Sequence, residues 1–214
     1  MKNRLLKWGT FLAIALIGVI SLARVSMPPN KIDVKQVAPK KSLVKKSQPT
    51  YRPYRDPATL RKPYDWRRSS EVRAYPKIKR IENDLTIRVS LKGNRVYILR
   101  NNERIYTMLA SGGLFKKSKS LTPLGTFKIQ GGRGDAFYNP NLNEGANNWT
   151  SWDEQNVYLF HSVPTKNNGK YNLTQARKLG KEPASHGCIR LSVADSLWLK
   201  DNIPTGTKVI IKNE

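Results

Sequence analysis

Ala184-Ser185-His186-Gly187-Cys188-Ile189-Arg190-Leu191 holds the only cysteine of a 214-residue chain and one of its two histidines. The other, His161, closes an upstream apolar run, Val157-Tyr158-Leu159-Phe160. A thiol near imidazole becomes a good nucleophile when a neighbouring base or cation favours the thiolate. The plainer reading is a buried cysteine beside a solvated histidine, and a bare Cys–His pair favours it. The neighbours shift that balance. Gly187 removes a side chain just before the sulfur, which lets backbone N–H groups approach a reacting carbonyl. Arg190 is a candidate to hold a substrate carboxylate.

These residues resemble the catalytic motif of the L,D-transpeptidases of the YkuD type, which cross-link bacterial peptidoglycan. That family carries an upstream His and then Ser/Thr-His-Gly-Cys, a hydrophobic residue, and Asn or Arg. The matching positions here are His161, Ser185, His186, Gly187, Cys188, Ile189 and Arg190. Further similarity lies in Asn94-Arg95-Val96-Tyr97-Ile98, in Thr122-Pro123-Leu124-Gly125-Thr126-Phe127, in Phe160-His161-Ser162-Val163-Pro164 and in the stretch from Ile203 to Val209. The resemblance covers roughly residues 82 to 212. The resemblance implies a β-sandwich catalytic domain that is mostly β with short helices. It implies Cys188 as nucleophile and His161 as the proton donor and acceptor, oriented by the backbone carbonyl of Ser162. His186 then lines the site, and backbone N–H groups around Gly187 and Cys188 form the oxyanion hole. Ser185 and Arg190 are assigned to substrate binding, and the implied substrate is the peptidoglycan stem peptide. One departure is plain: 23 residues, 162 to 184, separate His161 from Ser185. That is longer than the common family spacing and bears on how the substrate is covered.

Outward from this motif, residues 81 to 214 read as one β-rich domain. Leu85 to Leu91 alternates apolar and polar, the period of a half-buried strand. Lys92-Gly93-Asn94 turns into a second strand, Arg95 to Leu99, and Asn101-Asn102 turns into a third, Arg104 to Ala110. Thr126 to Gln130, Val157 to His161 and Lys208 to Lys212 are further strand candidates. Ser111 to Leu121 and Gly131 to Thr150 read as loops. In and just after the second, Asn147, Asn148, Trp149 and Trp152 are candidates to line a groove, and Arg133-Gly134-Asp135 is a three-letter coincidence with an adhesion motif. Leu173 to Leu179 is a possible short helix. Ser192-Val193-Ala194-Asp195 has the spacing of a capping box and predicts a helix to about Asn202, with Leu197 and Trp198 against the sheet.

The N-terminal part differs in character. Lys2, Arg4 and Lys7 precede an apolar run from Trp8 to Ala23, so residues 1 to 23 read as a signal peptide or a signal anchor. This predicts an extracytoplasmic location, membrane-anchored or secreted to the cell wall. Residues 24 to 80 hold 17 Lys and Arg against 4 Asp and Glu, and 8 of the chain's 13 prolines, without sustained periodicity. They read as a disordered basic tether. The whole chain carries a formal charge of +24, of which +13 falls on this tether. Anionic wall polymers or lipid head groups are its expected partners. Tyrosines interleave with arginines there, but behind an export segment a nucleic-acid role is set aside.

No cofactor is expected. Cys188, His186 and His161 offer three potential zinc ligands, but no CxxC or HxxxH spacing accompanies them. A lone cysteine forms no internal disulfide, so the thiol stays free. Two alternatives to cross-linking remain open at this point. One is an L,D-carboxypeptidase that trims stem tetrapeptides with water as acceptor. The other is a non-catalytic cell-wall-binding protein.

Overall fold

The computed structural model describes residues 52–79 and 84–214. The apolar segment 1–23 and the tether up to residue 51 lie outside the described residues. Among those described, no helix is long and apolar enough to cross a membrane.

The meander forms as its turns predict. Strands β1 (Leu85–Ser90), β2 (Arg95–Arg100) and β3 (Glu103–Ser111) pair antiparallel in sequence order. Asn101 and Asn102 both take positive φ, 52° and 64°, as a two-residue hairpin turn matched to strand twist requires. After it come β4 (Phe115–Lys116) and β5 (Lys119–Ser120), a small separate hairpin, and then β6 (Gly125–Lys128). Strands β7 (Arg133–Asn139), β8 (Glu144–Ser151) and β9 (Leu159–Ser162) follow, then helix α1 (Leu173–Ala176) and strand β10 (Ile189–Leu191). Helix α2 (Val193–Asn202) and β11 (Lys208–Lys212) complete the chain.

The large sheet has the order β6-β11-β1-β2-β3-β10-β9-β8-β7. Its central strand β3 serves both halves, pairing with β2 on one side and β10 on the other. One core takes residues from both halves: Ile87, Ile98, Met108 and Val209 from the first, Phe160, Ile189 and Leu191 from the second. The sheet therefore curls back on itself as a sandwich, and α2 packs against it. Trp198 of α2 is buried and stacks on Tyr75, with ring centroids 5.0 Å apart. Leu197, expected to share that role, is exposed.

Three expectations need correction. The Gly131–Thr150 stretch is a strand pair rather than a loop, since β7 and β8 lie there in register. Its asparagines are spent on structure: Asn147 bonds Tyr171 and Asn148 bonds the Val193 carbonyl. Arg133, of the adhesion-like triplet, donates to the Lys200 and Ile203 carbonyls at the end of α2. Strand β1 is buried on both faces, because Arg88 on its polar side pairs with Glu214 and lies over Tyr54.

The third correction concerns residues 52–79, which are packed on the domain and are not a free tether. Strand β10 covers β3 only at Ser111 and Ala110, leaving the earlier amides on that edge of β3 without a strand partner. Side chains of the N-terminal segment fill that gap. The buried Glu71 carboxylate accepts from the Thr107 N–H at 2.6 Å, and Ser70 Oγ accepts from the Leu109 N–H at 2.7 Å. Asp195 of α2, fully buried, accepts from the Ser70 N–H and from the Tyr75 hydroxyl, at 3.1 and 2.8 Å. Burial pushes its carboxyl pKa up, and these donors oppose the shift. Trp66 is buried against Leu109, Val163, Ala176 and Leu179. Asp56 holds the buried Arg95 with two bonds, 3.0 and 2.8 Å. A buried edge amide must find an acceptor, and here the acceptors come from carboxylate and hydroxyl groups distant in sequence.

Candidate active site

Strands β9 and β10 run parallel with Arg190 opposite His161 and Ile189 opposite Phe160. This register sets Cys188, one residue before β10, beside the strand that carries His161. Both residues line one cavity of about 400 Å³, shared with Tyr158, Phe137, Glu144 and the exposed His186.

His161 is buried and its Nδ1 lies 2.6 Å from the carbonyl oxygen of Ser162. A carbonyl can only accept, so Nδ1 carries the proton and Nε2 keeps its lone pair. Phe137 packs edge-on to the imidazole at 5.5 Å. Burial, and then the nearby Arg190 charge, push the His161 pKa down to about 3, with the Ser162 carbonyl opposing. Burial pushes the Cys188 thiol up to about 11, against the Leu159 backbone and Arg190, which favour the thiolate. Cys188 is partly exposed as a residue, but its sulfur sits against the backbone, 3.8 Å from the Val157 carbonyl oxygen. The resting pair is therefore thiol and neutral imidazole.

The loop before the sulfur is tied down internally. Ser185 Oγ accepts from the Gly187 N–H at 3.1 Å and donates to the Cys188 carbonyl at 2.5 Å. Thr122 Oγ1 donates to the Gly187 carbonyl at 2.7 Å and accepts from the Gly113 N–H at 2.8 Å. Gly187 has φ of +140°, and a Cβ there would meet Tyr158 at 2.5 Å and the Leu121 carbonyl oxygen at 3.0 Å. Only glycine fits this turn.

Three assignments change. Ser185, expected at the substrate, spends its hydroxyl on the loop. Arg190, expected to hold a substrate carboxylate, is buried and pairs with Glu144 at 2.6 Å, with Gln175 and the Ala184 carbonyl each at 2.8 Å. Desolvation pushes its pKa down while Glu144 opposes that shift. The Gly187 N–H, expected in the oxyanion hole, is likewise engaged by Ser185. The long 162–184 segment contributes no residue to the cavity wall; it supplies Gln175 to Arg190 from behind. Glu144 and Thr122 were missed by sequence reasoning. Glu144 gave no signal, lying in a stretch read as loop, whereas Thr122 opens the Thr-Pro-Leu-Gly-Thr-Phe motif. Among the described residues, no three His, Cys, Asp or Glu side chains cluster to hold a metal ion.

The family model of the YkuD L,D-transpeptidase catalytic domain matches residues 84–211. The chain belongs to that family. A protein of Bacillus subtilis (strain 168), YciB, provisionally named an L,D-transpeptidase, is 41% identical over 153 residues, covering 72% of this chain and 77% of that one. Among solved structures, a Clostridium acetobutylicum ATCC 824 protein described as a fused Zn-dependent amidase, peptidase and peptidoglycan-binding protein is 30% identical. That match covers 60% of this chain and 52% of the other, with a TM-score of 0.44. An L,D-transpeptidase from Mycobacterium smegmatis is 19% identical, covering 60% and 58% of the two chains, with a TM-score of 0.48. This YkuD-family chain thus spans little more than half the length of these solved chains. The assignment rests on the family model and the Bacillus relative.

Proposed function

We propose that the protein is a cysteine-dependent L,D-transpeptidase that forms peptidoglycan cross-links through an acyl-enzyme on Cys188. The observation that carries the reading is the fixed tautomer of His161, whose free Nε2 lone pair shares a cavity with the only thiol. Cys188 attacks the carbonyl of the third stem residue, and its proton passes to His161 Nε2 as the C–S bond forms. With the thiol raised and the imidazole lowered, that transfer accompanies attack instead of preceding it. The Cys188 N–H receives the oxyanion, because the Gly187 N–H is already spent on Ser185. As the C–N bond breaks, His161 returns the proton to the departing D-Ala amine, leaving a thioester. The amine of a neighbouring stem then attacks, gives a proton to His161 and displaces the thiolate, which is reprotonated.

Arg190 acts from below the cavity floor, where its charge favours thiolate and disfavours imidazolium, and Glu144 opposes the effect on the thiol. The reading places the enzyme's work outside the cytoplasm, with the basic N-terminal residues drawn to anionic wall polymers or lipid head groups. Purified protein incubated with tetrapeptide muropeptides is the test. Cross-linked dimer supports transpeptidation, tripeptide alone makes it a carboxypeptidase, and no turnover leaves a wall-binding protein.

A further inference from the structure

The cavity wall carries no lysine or arginine, and Arg190 is committed to Glu144. A stem peptide ends in a carboxylate close to the scissile bond, so a cation for it must come from elsewhere. The β4–β5 hairpin offers one. Its base is bonded to the catalytic loop: the Leu114 N–H donates to the Ser185 carbonyl at 2.9 Å, and Thr122 bridges Gly113 to Gly187. Its tip reads Lys116-Lys117-Ser118-Lys119, and all four residues are exposed.

This tip breaks local rules. Lys116 and Lys119 are direct cross-strand partners, and like charges in that position destabilise a strand pair. Lys117 and Ser118 hold φ of 45° and 64°, a turn that asparagine and glycine adopt more readily. Among the described residues, no carboxylate pairs with any of the three lysines. Three like charges in four residues, uncompensated, are what an anion site costs before its ligand arrives. Three strand residues span about 10 Å, so the ammonium groups stand about that far along the hairpin from the base that bonds the catalytic loop.

We propose that the Lys116, Lys117 and Lys119 hairpin is a docking surface for carboxylates of the substrate peptide. This rests on the function proposed above and adds the residues that select an acidic stem. The test compares wild type with Lys119→Glu on a tetrapeptide with free carboxylates and on the same peptide amidated. Lys119→Glu places opposite charges across the hairpin, so the thermal midpoint holds or rises. KM for the free acid rises about tenfold, from the loss of one exposed ion pair and the gain of one repulsion. KM for the amide changes little, and iodoacetamide alkylates Cys188 equally fast in both proteins. The triple change Lys116→Gln, Lys117→Gln, Lys119→Gln raises the free-acid KM about eightfold, each exposed contact giving about a factor of two. Equal effects on acid and amide, or none, overturn the proposal. So does an unchanged peptide KM with weaker retention on phosphate-bearing wall polymer, which would make the polymer the ligand. If wild type turns over neither peptide, it is the function reading that fails.

Discussion

Replacing His161 by glutamine should make the protein more resistant to acid, although it removes the proposed base. In the folded chain the His161 pKa lies near 3, chiefly from burial, against 6.5 for an ordinary histidine. Below pH 6.5 the unfolded histidine takes up a proton that the folded one refuses. Stability is thus fully present above that pH and is lost as pH falls toward the folded value. Each unit is worth about 1.4 kcal/mol, so about 2 kcal/mol is gone by pH 5, and the whole window is worth roughly 5 kcal/mol. His161→Gln keeps a polar side chain with no titration in this range. The assay is urea unfolding of both proteins from pH 7.5 to 4, taking the difference in unfolding free energy at each pH. Carboxylates common to both proteins cancel in that difference. Wild type should lose ground to the variant below pH 6.5, at a slope approaching 1.4 kcal/mol per unit. A difference that stays flat down to pH 4.5 would show that the imidazole protonates in place, and the neutral resting pair would be wrong.

Cys188→Ala should cut turnover by about a thousandfold or more while leaving the thermal midpoint nearly unchanged. A carbapenem should add covalently to Cys188, seen by intact-protein mass, with ampicillin much slower. Prior alkylation of the single thiol should block the adduct, and an adduct on Ser185 or Ser192 would move the nucleophile to oxygen. Gly187→Ala should abolish acylation, because the new methyl meets Tyr158 and the Leu121 carbonyl; a variant that still forms the adduct at the wild-type rate would refute the tight turn. Glu71→Ala should cost about 2 to 3 kcal/mol in urea unfolding by stranding the Thr107 N–H. Unaltered stability would mean that the Glu71 carboxylate does not hold the edge of β3.

The sequence was most legible where local rules agree with the final packing. The meander announced itself through alternation and Asn-rich turns, and helix α2 through Ser192, whose hydroxyl accepts from the Asp195 N–H as capping-box spacing requires. Cys188 and His161 stood out by scarcity and motif. Strands β7 and β8 were hidden because they are glycine- and asparagine-rich, and β7 is largely solvated, so no apolar period marks them. The role of Arg190 was misread for another reason. Its partner Glu144 lies 46 positions away in one of those hidden strands, and a buried ion pair leaves no periodic trace. Residues 52–79 failed the same way, since they attach through single carboxylate, hydroxyl and indole contacts without repeating pattern.

The catalytic-domain match and the folded unit divide this chain at different places. The family model matches from residue 84, yet the groups that close the open edge of β3 stand at Ser70 and Glu71. A graft of residues 84–211 into another protein would carry every group of the catalytic cavity and leave its closure behind. Thr107 and Leu109 would then present bare amides, and unpaired strand edges recruit strands from other molecules. Such a graft should be chemically complete and prone to self-association. Whoever moves this enzyme must move its N-terminal strap as well.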